Sequence, residues 1–212
     1  MDVTIRMLRR DDAAAFEAAL AIYRSEIELS EQRPEAELRT LLNRDDYLVQ
    51  VAERANDGAS RVIGFSISWT PPDEDFWLFE YMAVLPQERS SGVGKTLFQR
   101  ACAIPDPGNL GLVEVDQPHD DNTSRRLRFY ARLGCRRVGD INYILPLRTH
   151  GEPPPMMLLS VPRYGATAYV RRETLQRALQ LIYESVYHQA PNDPRIAQML
   201  GGVPMNVPLV DL

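Results

Sequence analysis

The segment that most constrains this chain runs from Trp77 to Leu97. Trp77 to Leu85 is apolar except at Glu80, and Pro86 closes it, which predicts a buried strand. Arg89-Ser-Ser-Gly92-Val-Gly94-Lys95-Thr96 comes next and leads into a helix expected from about Ser91 to Ala103. A helix start leaves backbone N–H groups unpaired at the positive end of its dipole, so it holds phosphate readily. Gly92 and Gly94 let the backbone approach an anion closely. Arg89 and Lys95 can add charge, and Ser90, Ser91 and Thr96 can add hydroxyl donors. Two other readings compete. Gly94-Lys95-Thr96 looks like the tail of a P-loop, but Arg89 stands where that pattern has its first glycine. The other reading is a glycine-bearing turn between strand and helix with no ligand.

The remaining pattern supplies the frame. Alternation predicts strands at Thr4–Arg9, Tyr47–Ala52 and Arg61–Trp69, the last two joined across the turn signal Asn56-Asp57-Gly58. Helices are expected after Asp11 or Asp12, from about Pro34 to Leu42, and from Ser124 to Leu133, where Gly134 stops the run. Leu110–Asp116, Val138–Leu145 and Met156–Val161 read as further strands, the last two separated by the loop from His150 to Pro155. A long helix from about Arg171 to His188 carries Leu175, Leu179, Ile182 and Val186 on one stripe, and the tail after Ala190 reads as coil. The order is β-α-α-β-β-β-α-β-α-β-β-α. Consecutive strands without intervening helices predict an α+β fold with a mixed, mostly antiparallel sheet, flanking helices and a C-terminal helical extension.

Composition narrows the function classes. The 212 residues are 44% hydrophobic and 25% charged, the balance of a globular chain rather than a disordered or fibrous one. The formal net charge of -5 argues against a partner held through nucleic-acid phosphates and weakly favours cationic ligands. No apolar run is long enough for a membrane span. Cys102 and Cys135 form no C-x-x-C pair, and the three histidines are scattered, so a zinc framework is not expected. The start MDVTIRMLRRDD lacks the apolar core of a signal peptide, so reduced thiols in a cytoplasmic protein are expected.

Two motifs together carry a family resemblance. Arg89-x-x-Gly92-x-Gly94 after a strand resembles the cofactor signature of the GNAT superfamily, the acetyl-CoA-dependent N-acyltransferases. Phe129-Tyr130-Ala-Arg-Leu133-Gly134-Cys135 resembles its second signature, L-Y-x-x-x-G-F, and Phe79 to Val84 resembles its fourth strand. The element order matches to about residue 161, which makes residues 1–162 a GNAT-like domain and 163–212 an extension that packs on it or forms a homodimer interface. The resemblance implies that the fourth and fifth strands splay around the pantetheine arm of acetyl-CoA. It implies that Met82, Ala83 and Val84 pair with that arm through their backbone. Arg89, Ser90, Ser91, Gly92, Val93, Gly94, Lys95 and Thr96 would cradle the pyrophosphate. The chemistry it implies is direct attack of a primary amine, on a small molecule or a peptide, on the thioester. A non-catalytic CoA-binding regulatory module is the alternative.

That chemistry needs a base and an acid. Glu80 is the one acid in an apolar strand, a costly place for a carboxylate that is neither paired nor functional. The resemblance makes it the general base, directly or through water; the other reading is a structural carboxylate paired with an arginine. Tyr130 matches the tyrosine that protonates the leaving thiolate, or else it only packs. Glu114 and Asp116 share one face of their strand and could attract a cationic amine, or stand as solvated acids. The chain departs from the family pattern at Thr123, Arg126 and Cys135, and its loop from Gln117 to Asn122 is longer.

Overall fold

The computed structural model describes residues 3–56, 59–106, 109–139, 141–146, 155–162 and 168–212. The turn at Asp57-Gly58, Pro107-Gly108 and most of the loop from His150 lie outside these residues. Two compact units emerge: Met1–Asp73 with Phe79–Asp106, and Glu74–Leu78 with Pro107–Leu212.

In the first unit, β1 (Val3–Met7) pairs antiparallel with β2 (Tyr47–Asn56), and β2 with β3 (Ala59–Trp69); β4 (Phe76–Val84) enters this unit at Phe79. The register sets Ile5 opposite Ala52 and Val51 opposite Phe65, with a shift at Ala52/Glu53. Strand alternation then divides the apolar residues between two faces. α1 (Ala13–Glu26) and α2 (Glu35–Leu41) cover Val49, Phe65 and Ile67 with Phe16, Leu20, Leu38 and Leu41. α3 (Val93–Cys102) covers the opposite face, packing Val93 and Leu97 on Ile5, Ala52 and Ile63. Gly64 permits a close approach of β4: a Cβ there would sit 2.9 Å from the Ala83 carbonyl oxygen. Asp12 takes the N-cap position of α1 but makes no side-chain cap; its carboxylate goes to Arg6 at 2.5 Å instead.

In the second unit, β5 (Leu110–Asp116) pairs antiparallel with β7 (Met156–Ser160), and β7 with β6 (Arg136–Val138). The first residues of β4 lie beside β5, where the Leu110 N–H donates to the Asp75 carbonyl at 2.7 Å. α4 (Asp121–Arg132) opens with a reciprocal capping box between Asp120 and Thr123 and stops at Gly134, whose φ of 80° suits glycine.

The extension departs from expectation in its details. β8 (Tyr169–Arg171) and β9 (Asn206–Val210) add two strands, because β9 pairs antiparallel with both β6 and β8. The tail read as coil holds α6 (Pro194–Leu200), started by Asp193 and Pro194 and ended at Gly201. Its prolines bound elements rather than break them, and Pro208 within β9 still accepts from the Gly139 N–H at 2.8 Å. The strand expected over Val138–Leu145 ends at Val138. Ile141, Tyr143 and Leu145 are buried in alternation, yet the Ile144 backbone bonds to the side chains of Met199 and Tyr183 rather than to a strand. The long helix is α5 (Arg172–Leu181) followed by a π turn at Ile182–Val186. Leu175, Leu179, Ile182 and Val186 are all 0% exposed, so this stripe is spent inside the chain and is not a free dimer face.

Candidate active site

β4 breaks its own alternation where the family resemblance places the base. Phe79 stacks edge-on against Phe98 of α3, and Met82 packs with the α3 cluster. Glu80 and Tyr81 both turn to the opposite face: Tyr81 meets the Tyr23 ring and donates to the Glu31 carbonyl at 2.7 Å. Two successive residues on one face are what a β-bulge produces. Glu80 there accepts from Arg33 Nε at 2.5 Å, and both side chains are 2% exposed. Arg33 also donates to the Tyr47 hydroxyl at 2.8 Å, while its backbone N–H donates to the Tyr23 hydroxyl. Burial pulls the Arg33 value down, but the Glu80 charge overrides it, and Arg33 is held above the ordinary arginine value. Burial and the same carboxylate push the Tyr47 and Tyr81 hydroxyls up. The paired arginine of the structural reading of Glu80 is therefore present, and it comes from the segment between α1 and α2.

The turn into α3 is exposed over Arg89, Ser90, Ser91 and Gly92, and again at Lys95 and Thr96; Gly94 is half-buried. Gly92 is the N-cap of α3 with φ 89°, and Ser90 is also left-handed at φ 65°. A Cβ at Gly92 would meet nothing within 4 Å, so the space above this turn is open. The hydroxyls are spent locally: Ser91 donates to the Glu88 carbonyl at 2.6 Å and Thr96 to the Gly92 carbonyl at 3.1 Å. Arg89 bonds to Glu26 of α1. What the turn offers an anion is chiefly its backbone N–H groups, with Lys95 at the rim. Met82 and Val84 are half-buried against the α3 cluster, and Ala83 is buried.

In the second unit, Tyr130 stands in the last turn of α4, buried at 6% exposure, with the Phe129 ring 5.1 Å away. Glu114 and Asp116 share a face of β5 as expected but have different partners. Asp116 is ion-paired with Arg126 of α4 at 2.5 Å. Glu114 accepts from the Tyr143 hydroxyl through Oε1 and from the Tyr187 hydroxyl through Oε2, the latter at 2.5 Å. Sequence reasoning did not single out Arg33 or Tyr187. Neither has a local motif; Arg33 merely precedes a proline, and Tyr187 lies 73 residues from its partner. Among the described residues no His, Cys, Asp or Glu cluster could hold a metal ion, and no helix is long and apolar enough to cross a membrane. Cys102 is a free thiol that burial pushes up to about 12, so it is no nucleophile at neutral pH.

The fold and the motifs agree with known proteins. A GNAT-family protein from Bacteroides thetaiotaomicron superposes with a TM-score of 0.70 at 20% identity, covering 88% of this chain and 99% of that one, more than residues 1–162 alone could supply. The ribosomal-protein-S18-alanine N-acetyltransferase from Escherichia coli superposes with a TM-score of 0.56 at 17% identity, covering 80% of this chain and 99% of that one. NAA60 from Arabidopsis thaliana, solved with acetyl-CoA, gives a TM-score of 0.59 at 13% identity, covering 78% of this chain and all of that one. The sequence has no match among curated proteins. The acetyltransferase (GNAT) domain profile matches residues 45–136, a span that holds Glu80, the turn at 89–96, β5 and Tyr130. Both lines of comparison converge on the reading that the two motifs support: residues 45–136 match the acetyltransferase (GNAT) domain, and the fold is that of GNAT-family proteins.

Proposed function

We propose that the protein transfers an acetyl group from acetyl-CoA to a primary amine of a small molecule or peptide, by direct attack in a ternary complex. The observation that carries this reading is the open, glycine-bearing start of α3 directly after β4, within the matched domain. The acetyl-CoA bound to the NAA60 neighbour supports the donor, and the alanine named for the Escherichia coli neighbour supports an amine acceptor.

The backbone of Met82, Ala83 and Val84 holds the pantetheine arm, and the N–H groups from Ser90 to Lys95 hold the pyrophosphate, with Arg89 and Lys95 adding charge. The thioester supplies an activated acetyl group. The amine lone pair attacks the carbonyl carbon, the C–S bond breaks, and its electron pair leaves on sulfur. Tyr130 donates its hydroxyl proton to that thiolate, and Glu80 takes the proton the ammonium gives up, directly or through water. Glu114 attracts the cationic acceptor, whereas Asp116 is taken up by Arg126. The site belongs to the cytoplasm, where free thiols such as Cys102 and Cys135 persist.

Calorimetry tests the donor. Acetyl-CoA is expected to bind at micromolar affinity and ATP not at all, and Gly92→Asp or Gly94→Asp to abolish binding by placing a carboxylate against the pyrophosphate. The reverse nucleotide preference would overturn the reading. Release of free CoA with a panel of primary amines then separates an enzyme from a non-catalytic CoA-binding module, which binds without turnover. The Arg33 ion pair favours a second reading of Glu80 as a structural carboxylate. Breaking the Arg33 pair lowers the melting temperature in either reading, but as a base Glu80→Gln also lowers kcat about 100-fold or more. As a structural group, the same change lowers the melting temperature and leaves kcat within a few-fold.

A further inference from the structure

Arg89 stands in the turn that the donor reading assigns to the pyrophosphate, yet its guanidinium is given to another element. Its Nη2 donates to Glu26 Oε2 in the last turn of α1, and among the described residues its side chain has no other partner. Glu26 is the more firmly held of the two. Its side chain is 11% exposed against 43% for Arg89, and its Oε1 accepts from the Ser25 hydroxyl at 3.2 Å. The contact suits the helix as well. Glu26 ends α1, where a carboxylate opposes the helix dipole, and Arg89 offsets that charge. The neighbouring Glu88 pairs with Arg54 of β2 at 2.5 Å, so the turn is tied to the sheet beside Arg89.

The pair draws Arg89 away from the anion-holding N–H groups. Those groups open α3, which covers one face of the sheet, whereas α1 covers the other. A guanidinium bonded to a carboxylate also offers little net charge to a second anion. An ion pair this exposed shifts an equilibrium only a few-fold, so a pyrophosphate with two negative charges can take Arg89, but only by breaking the pair. We propose that Glu26 is an internal competitor for the donor: in the free chain it holds Arg89 at α1, and the pyrophosphate of acetyl-CoA must displace it. Glu26 is thus a positioning residue that acts through Arg89 and sets how much donor fills the site. The same exchange unties the end of α1 from the donor turn. The segment after α1 then stays joined to β4 through Arg33–Glu80 and through the Tyr81 hydroxyl on the Glu31 carbonyl. This rests on the acetyltransferase reading above, in which Arg89 adds charge at the pyrophosphate.

The test is a double-mutant cycle on the full chain, read as the Kd for acetyl-CoA by calorimetry. Glu26→Gln is expected to tighten binding about threefold to fivefold, because it removes the competing charge and leaves Arg89 in place. Arg89→Gln is expected to weaken binding by a similar factor or more. In the Arg89→Gln background, Glu26→Gln is expected to change the Kd less than 1.5-fold, since the group competed for is gone. A merely structural Glu26 gives the opposite sign: its loss leaves the affinity unchanged or lowers it. An unchanged or weakened Kd in Glu26→Gln, a tightening that persists without Arg89, or an Arg89→Gln chain that binds as well as wild type would each overturn the proposal. None of these touches the acetyltransferase reading so long as the wild-type chain binds acetyl-CoA. A wild-type chain that does not bind it overturns that reading and this proposal with it.

Discussion

At the scale of single residues, the buried pair Arg33–Glu80 ties the segment between α1 and α2 to β4. Removing one member of such a pair leaves a buried charge alone, which costs about 3–5 kcal/mol. Arg33→Leu is expected to lower the unfolding free energy by about that amount in a denaturant titration. Asp46 offers a pH test. Burial would raise its carboxyl, but Arg44 and the Trp69 indole N–H at 2.9 Å hold it below the usual value. A carboxyl lowered on folding stabilises the native state above its unfolded value of roughly 3.9, and that contribution is lost as the pH falls through the lower native value. The melting temperature of Asp46→Asn is therefore expected to lie below the wild type at pH 7, with the gap closing below about pH 4. Of these residues only Glu80 stood out in the sequence, because a carboxylate interrupts an apolar run. Arg33 did not, since its partner lies 47 residues away and no spacing rule connects them.

At the scale of elements, the strand–turn–helix at Trp77–Cys102 and the stop of α4 at Gly134 were legible because their signals are local: proline, left-handed glycine and helical spacing. The same holds for α4's start. Asp120→Ala removes the side-chain half of its capping box, the acceptor of the Thr123 N–H, and is expected to cost about 1 kcal/mol in equilibrium unfolding. Gly111→Ala tests a contact no local pattern announces. A Cβ there would fall 2.7 Å from two carbons of the Trp77 ring and 2.8 Å from Val161, so overpacking of about 1–3 kcal/mol is expected in the same measurement. The segment Ile141–Leu145 shows the limit of periodicity. Its burial alternates as a strand's does, but side chains of Tyr183 and Met199 occupy its backbone bonds. Alternation reports which side is buried and not what satisfies the backbone.

At the scale of the whole molecule, the extension is integral to the second compact unit. β9 supplies the partner of β6, and four residues of the α5 and π-turn stripe are fully buried. A chain ending at residue 162 is expected to lose amide exchange protection over β6 and to become sensitive to proteolysis there, whereas the full chain stays protected. From the sequence alone came the α+β class, the order of the first eleven elements, the GNAT resemblance and the anion-holding turn. Each depends on residues within about twenty positions of one another, the range over which helix and strand periods and glycine conformations act. The tertiary structure decided what each carboxylate meets: Arg33 for Glu80, Arg126 for Asp116, and the Tyr143 and Tyr187 hydroxyls for Glu114. It also made strands and a π turn of the extension. Charge pairing and strand pairing act through space, so residues far apart in the chain meet only once the backbone has chosen its faces.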